Sequence, residues 1–323
     1  MDKEIKVSVI CIAYNHEKYI RKALDGFVMQ ETNFAYEVII HDDASTDNTA
    51  KIIKEYEEKY PDIIKPIYQT ENQFSQGVKF GKEFINPRIK GKYIASCEGD
   101  DYWTDKYKLQ KQYDYMESHP ECAICVHQAT VYNCCNGIET LATNQESDKD
   151  YSVNEIIAGG GSLFATCSAF TRDFVRLERP DCFDINGVGD YQLFLFGAMS
   201  GKCHYMKDNM ATYNSCTEGS WTCRVERNRE KRIRLYLDII NMLKRVDTYY
   251  DNQYHEEITR KILQLEFRMY CSQGKLLQII KKKYRYQYTQ AILKGENPIK
   301  ECLALKMPWL TRSGRKKLWI VRK

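Results

Sequence analysis

An α/β fold with a mostly parallel, doubly wound sheet and a helical extension behind it follows from three features of this sequence. Short apolar runs alternate with amphipathic stretches through the first third of the chain, the connections between them are short, and the charge balance changes sign near position 223. Residues 7–13 (Val-Ser-Val-Ile-Cys-Ile-Ala) are almost continuously apolar, as expected for a parallel strand buried on both faces. Tyr14-Asn15-His16 breaks the run, and residues 17–30 then carry Ile20, Leu24, Phe27 and Val28 on one helical stripe. Residues 36–40 predict a second strand. Asp42 to Asp47 form a turn cluster with capping residues, leading into a helix through Tyr60. Residues 63–68 and 93–97 continue the rhythm, the latter running into Glu98-Gly99-Asp100-Asp101, and alternate positions in 122–131 read as strand. This alternation predicts parallel strands joined by right-handed crossovers.

The composition is that of an ordinary globular protein: of 323 residues, 43% are hydrophobic and 28% charged, which excludes long disorder. From position 224 onward 25 Lys/Arg face 10 Asp/Glu, whereas the first 223 residues carry 23 against 34. An acidic front (1–223) and a basic, mostly helical rear (224–323) predict two units with different partners. In the rear, Ile233, Leu235, Leu237, Ile240 and Leu243, then Ile258, Ile262, Leu265 and Phe267, mark the helices. The run Lys281-Lys282-Lys283-Tyr284-Arg285-Tyr286 and residues 312–323, with Trp309 and Trp319, mix cations with aromatic rings. Such a surface suits peripheral contact with an anionic membrane, and equally a solvated face. Nucleic acid is not an expected partner, because the acidic front would repel phosphate.

No apolar run approaches the ~20 residues of a membrane-spanning helix, and residues 1–6 do not resemble a signal peptide. The expected setting is cytoplasmic. Thirteen cysteines, an odd number, several of them inside strand-like runs (Cys11, Cys97, Cys122, Cys125), read as thiols in a reducing compartment. Cys122-x-x-Cys125 with Cys134-Cys135 lacks a second well-spaced pair for zinc.

Ligands bind parallel sheets at the carboxyl ends of the strands, and here those ends are polar and acidic: Tyr14-Asn15, Asp42-Asp43 and Glu98 to Asp101. Neither Gly-x-Gly-x-x-Gly nor Gly-Lys-Ser/Thr follows the first strand, which disfavours a dinucleotide site and an NTPase. Carboxylates do not hold phosphate unaided. A divalent cation, Mg²⁺ or Mn²⁺, set among Glu98, Asp100 and Asp101 would relieve their repulsion and take up diphosphate oxygens. Asp42 and Asp43 suit hydrogen bonds to a base N–H and to ribose hydroxyls. Each cluster also has a plainer reading as an acidic helix start. Asp190 likewise follows a glycine-bearing turn and precedes an apolar helical run, where an N-cap would stand.

Three segments, Val7-Ser-Val-Ile-Cys-Ile-Ala-Tyr-Asn15, Ile39-Ile-His-Asp-Asp-Ala-Ser-Thr-Asp47 and Gly91-Lys-Tyr-Ile-Ala-Ser-Cys-Glu-Gly-Asp-Asp-Tyr-Trp103, resemble in order and spacing the family 2 glycosyltransferases of the GT-A, Rossmann-like fold. The resemblance covers roughly residues 5–222 and implies a nucleotide-binding half (about 1–104) and an acceptor half (about 105–223). It implies that Ala13 and Tyr14 hold the uracil, that Asp42 and Asp43 bind base and ribose, and that Glu98-Gly99-Asp100 is the D-x-D element holding Mn²⁺ or Mg²⁺ on the diphosphate. It makes Asp190, in Gly189-Asp190, the base that takes the acceptor's proton in an inverting displacement. The implied partners are a nucleotide-sugar donor, a UDP-sugar, and a glycan or lipid-linked acceptor in surface-polysaccharide synthesis at the inner face of the cell membrane. The chain departs from the pattern at Glu98, where Asp is common, and at Cys216, in a segment where many relatives carry His. Two other functions stay open: a sugar-phosphate nucleotidyltransferase, and a module that binds nucleotide sugar or glycan without turnover.

Overall fold

The computed structural model describes residues 4–185, 188–218 and 220–306. The chain divides into two compact units, Met1–Asp181 with Val188–Ser220, and Cys182–Gly187 with Trp221–Lys323. The first unit opens with β1 (Ile5–Ala13), α1 (Ile20–Val28), β2 (Ala35–Asp42), α2 (Thr49–Lys59), β3 (Ile64–Tyr68), β4 (Tyr93–Ser96) and β5 (Tyr102–Trp103). It continues with α3 (Lys108–Ser118), β6 (Cys122–Asn133), β7 (Glu139–Leu141), β8 (Lys149–Tyr151), α4 (Val153–Gly159), β9 (Phe170–Arg172), α5 (Phe174–Leu177), α6 (Gly189–Ser200) and β10 (Lys202–Ser215).

These strands make one sheet in the order β3-β2-β1-β4-β9-β6-β10-β5, with β7 on β6 and β8 on β10. The nucleotide half is parallel as expected: β3, β2, β1 and β4 all run the same way. The other half is mixed, because β9 enters antiparallel between β4 and β6 before β6 and β10 pair in parallel. At three residues, β9 is too short to carry a periodic pattern in the sequence. The apolar run of β1 serves two layers. Val7, Val9 and Cys11 pack with Leu24 and Phe27 of α1, while Ile10 packs on the opposite side with Ile39, Ile67 and Ile94. That double burial is what the nearly continuous apolar pattern encoded. Helix α1 begins later than residue 17 because the His16 carbonyl accepts from the Tyr19 and Ile20 amides (2.9 and 2.8 Å), closing a turn ahead of it.

The loop after β4 is held on both sides. The Cys97 amide donates to the Ile10 carbonyl (3.0 Å) and the Gly99 amide to that of Ile12 (2.9 Å), so residues 97–99 keep following β1. Trp103 fixes the far side. Its ring meets Phe27 edge-on at 4.9 Å, and its Nε1 donates to the Cys167 carbonyl at 2.9 Å. The Lys108 ammonium lies 4.2 Å from the Trp103 ring centroid and donates to Gln112 Oε1 at 2.7 Å. Lys108 is fully buried, and desolvation pushes its pKa down to about 8. None of the thirteen cysteines is disulfide-bonded, and Cys122 and Cys125 are buried in β6.

The second unit contains α7 (Trp221–Arg227), α8 (Arg229–Tyr249), α9 (His255–Gln273), α10 (Leu276–Ile279), α11 (Arg285–Leu293) and α12 (Pro298–Lys306). Asn228 caps α8 by accepting from the Lys231 amide at 3.0 Å, and Gly274, at φ +66, ends α9 in the left-handed conformation. Position 223, the expected boundary, falls inside α7. Ile240 and Leu243 are buried as anticipated, but Leu237 faces out, and Ile239, Met242 and Val246 complete the buried face of α8. Phe267, Cys271, Ile279, Tyr284, Ala291 and Cys302 form a second small core. Trp309, Trp319 and residues 312–323 lie outside the described residues. Among the described residues no helix is long and apolar enough to cross a membrane.

Candidate active site

Parallel pairing brings the ends of β1 and β2 together, with Ala13 opposite Asp42 and the Asp43 amide donating to the Ala13 carbonyl at 3.0 Å. The two loops that follow are laced to each other. Asn15, at φ +56, accepts from the Thr46 amide (2.8 Å), its own amide donates to Ser45 Oγ (2.9 Å), and the His16 amide donates to Thr49 Oγ1 (2.8 Å). Tyr14 stands at this junction with an exposed ring. Asp42 accepts from Ser45 Oγ at 2.5 Å, and burial raises its carboxyl pKa against the hydrogen bonds that lower it. A surface cavity of about 520 Å³ opens beside it, lined also by Ser45, Lys51, Lys54 and Tyr68.

Asp43 has a different environment from Asp42. Its two carboxylate oxygens accept from the Gln73 and Phe74 amides (2.7 and 3.1 Å), so it fastens the loop after β3. A base or ribose contact there would use its remaining lone pairs.

The three acids after β4 also divide. Asp101 is almost fully buried, and its Oδ1 accepts from the Asn214 amide of β10 at 2.8 Å. Burial, then the charges of Asp100 and Glu98, push its carboxyl well above the usual range. Asp100, also buried, meets β10 and the residues just after it: its Oδ2 accepts from Thr217 Oγ1 at 2.9 Å, and its carbonyl accepts from Asn214 Nδ2 at 2.5 Å. Glu98 keeps an exposed side chain, and partial desolvation, with the charges of Asp100 and Asp190, raises its pKa. Gly99 between them is required by contact, because a Cβ there would lie 2.9 Å from both His16 Nδ1 and Ile20 Cδ1.

The charge of Asp190 is among those that raise the Glu98 carboxyl, so the two acids stand near one another. Asp190 lies in the first turn of α6; the N-cap is Val188, and the Asp190 Oδ1 accepts from the next amide, Tyr191, at 2.7 Å. Burial pushes its carboxyl up to about 6. The turn after α4 covers it: a Cβ on Gly161 would come within 2.9–3.1 Å of the Asp190 carboxylate atoms. Gly161→Ala is therefore expected to displace the carboxylate and lower kcat. A misplacement of about 1 Å costs on the order of 10²-fold. Steady-state kinetics on a variant with an unchanged melting temperature checks this; an unaltered kcat would show that Asp190 can yield without loss.

Cys216 ends the strand in the left-handed conformation (φ +61), beside the Cys134-Cys135 turn: the Cys134 amide donates to the Ser215 carbonyl at 2.9 Å. Asn214, Thr217 and His16 are site members that the sequence did not single out. Asn214 and Thr217 reach the acidic loop across more than a hundred residues, and no local pattern reports such a contact. His16 had one signal, its place directly after the first strand.

A divalent ion of the kind the acidic motif implies finds suitable donors here. Glu98 and Asp100 offer hard oxygen ligands, and burial together with the neighbouring acids raises the carboxyls of Glu98 and Asp101, a cost that a bound cation would relieve. Among the described residues no three His, Cys, Asp or Glu side chains converge as an all-protein cage. Mg²⁺-type binding does not need one, since one or two carboxylates plus phosphate oxygens and water fill the shell.

The family model for glycosyl transferase family 2 matches residues 8–176. The protein Rv1520 of Mycobacterium tuberculosis H37Rv is 37% identical over 218 residues, 67% of this chain and 60% of that protein. The putative teichuronic acid biosynthesis glycosyltransferase TuaG of Bacillus subtilis is 36% identical over 110 residues, 34% of this chain and 41% of that one. The chain thus spans about 60% of the length of the curated relatives that it matches over most of its own length. Among solved structures, Staphylococcus aureus TarS 1–349 aligns with a TM-score of 0.58 at 16% identity, over 89% of this chain and 79% of that one. The mannosyltransferase PcManGT of Pyrobaculum calidifontis, in complex with GDP-Man and Mn²⁺, aligns at 0.54 and 17% identity, over 97% and 84%. At such identities these two likenesses concern the fold, and the fold they share with this chain is GT-A.

Proposed function

Because this chain belongs to glycosyl transferase family 2, we propose that it transfers a sugar from a nucleotide-diphosphate donor to an acceptor hydroxyl with inversion at the anomeric carbon. The observation that carries this reading is the grouping of Glu98, Asp100 and Asp190 at the carboxyl end of a parallel sheet, with Ala13, Tyr14 and Asp42 at the adjoining strand ends. A raised carboxyl at Asp190 suits a general base, whose best pKa lies near the working pH.

In this mechanism Ala13, Tyr14, Asp42 and Asp43 receive the base and ribose. Glu98 and Asp100 would hold Mn²⁺ or Mg²⁺ at the diphosphate end, and such an ion would supply positive charge to offset what grows on the leaving group. Asp101 secures the acidic loop to β10 through the Asn214 amide. Asp190 accepts the acceptor proton as the acceptor oxygen bonds to the anomeric carbon. The bond to the departing diphosphate breaks from the opposite face and takes its electron pair with it. No enzyme nucleophile takes part.

The donor is a UDP-sugar carrying a hexosyl or N-acetylhexosaminyl group; TarS in complex with UDP-GlcNAc supports this choice through a shared fold. The acceptor is a glycan or a lipid-linked sugar in surface-polysaccharide synthesis at the cytoplasmic membrane face, a setting favoured by the likeness to TuaG. The test is product analysis with a panel of nucleotide sugars and Mn²⁺. Free nucleoside diphosphate that forms only when acceptor is present supports transfer. Pyrophosphate would mark a nucleotidyltransferase instead, and tight binding without any product would leave a recognition module.

A further inference from the structure

We propose that the outer face of α10–α11 docks on an anionic lipid surface. Helix α11 buries Gln287 and Ala291, one turn apart, yet also carries apolar side chains on its opposite side: Tyr286 (62% exposed) and Leu293 (74%), seven residues apart, share its outer face. On and just after α10, Leu277 (78% exposed) and Ile280 (57%) project three residues apart. Between the two helices stand Lys281, Lys282 and Lys283, all exposed. Residues 275–294 hold six Lys/Arg and no Asp or Glu.

The segment is firmly seated. Ile279 and Tyr284 are buried in the small core, and the Tyr284 hydroxyl donates to Glu266 at 2.5 Å. Lys283 is drawn to the same carboxylate at 3.0 Å. Lys281, Lys282 and Arg285 are exposed and make no ion pair among the described residues. A single exposed Leu or Ile is ordinary on a protein surface; what distinguishes residues 275–294 is that several exposed apolar side chains alternate with cations and no carboxylate stands among them. Lipid explains both features at once: headgroup phosphates meet the ammonium and guanidinium groups, and the apolar tips enter the boundary beneath them. This surface lies in the unit that carries none of the proposed transfer residues, and the inference does not depend on the transfer chemistry.

Co-sedimentation of the full chain with phosphatidylglycerol vesicles and with phosphatidylcholine vesicles tests it. Binding is expected to phosphatidylglycerol only, and to weaken as salt is added. Lys281→Ala/Lys282→Ala should weaken it by about 25-fold, from roughly fivefold per cation at the surface. Leu277→Ser/Ile280→Ser should also release the protein, with its melting temperature unchanged. No binding by the intact chain at low ionic strength overturns the inference. Binding that both double variants retain in full overturns it too, since the contact then lies elsewhere. A lower melting temperature or a changed elution volume for the Leu277→Ser/Ile280→Ser variant would show that these side chains are already covered, by residues 307–323 or by another protein chain, and would also overturn it.

Discussion

Asp190→Asn is expected to lower kcat by about 10² to 10⁴, the usual loss for a general base, with donor affinity nearly unchanged. The substitution keeps the shape of the side chain, and the amide oxygen can still accept from the Tyr191 N–H as Asp190 Oδ1 does at 2.7 Å. What disappears is the ability to take a proton. Burial raises this carboxyl to about 6, so in the wild type kcat/KM should fall as the pH drops through that region and Asp190 becomes protonated. The variant should lack this acid limb. Stability should move the other way. A carboxyl with a raised folded-state pKa favours folding in its protonated form, and that contribution is lost as pH rises from the ordinary Asp value through about 6. Asp190→Asn should therefore melt no lower than wild type at neutral pH, and higher if the bond to Tyr191 is kept. A capping role predicts no change in rate, and Val188 already occupies the N-cap. A well-folded variant with near-normal turnover would remove Asp190 from the mechanism.

Asp100→Ala is expected to abolish transfer and, with it, the Mn²⁺-dependent part of nucleotide binding. The side chain also fastens Thr217 at 2.9 Å, so a loss of activity alone would be ambiguous. Thr217→Val separates the two roles: it removes the same hydrogen bond but leaves the carboxylate in place. If Asp100 holds a cation on the diphosphate, Thr217→Val keeps metal-dependent binding, measured by titration calorimetry with and without chelator, while Asp100→Ala loses it. Equal losses in both variants would reduce Asp100 to a fastener of the β10 end. Full activity in excess chelator would dispose of the metal role altogether.

The local sequence carried more of the fold than of the site. The nearly continuous apolar run of β1 encoded burial on two faces, since neither a solvent-facing strand nor an edge strand calls for apolar side chains at successive positions. The carboxylate clusters were legible for a related reason. Acids at strand ends are conspicuous against a buried sheet, and they stand within a few residues of the apolar runs that locate them. Which acid does what was not legible, because each carboxylate has partners far away in sequence. Asp43 is turned inward by the Gln73 and Phe74 amides, and Asp101 by the Asn214 amide, while Asp100 meets Thr217. Neighbours in the chain, they belong to different surroundings.

By itself, then, the sequence determined the parallel half-sheet, the acidic strand ends and the change from an acidic front to a basic rear. Each is a property of contiguous residues, set by periodicity, by turn chemistry or by summed charge. Only the tertiary structure decided that β9 enters antiparallel between β4 and β6, that Gly161 lies against the Asp190 carboxylate, and that Tyr286 and Leu293 face outward beside a lysine run. Those outcomes depend on which surfaces meet after the chain has closed on itself. Hydrophobic burial is non-directional, so one apolar stripe can be satisfied by several neighbours, and the choice among them falls to packing and to hydrogen bonds that span a hundred residues or more.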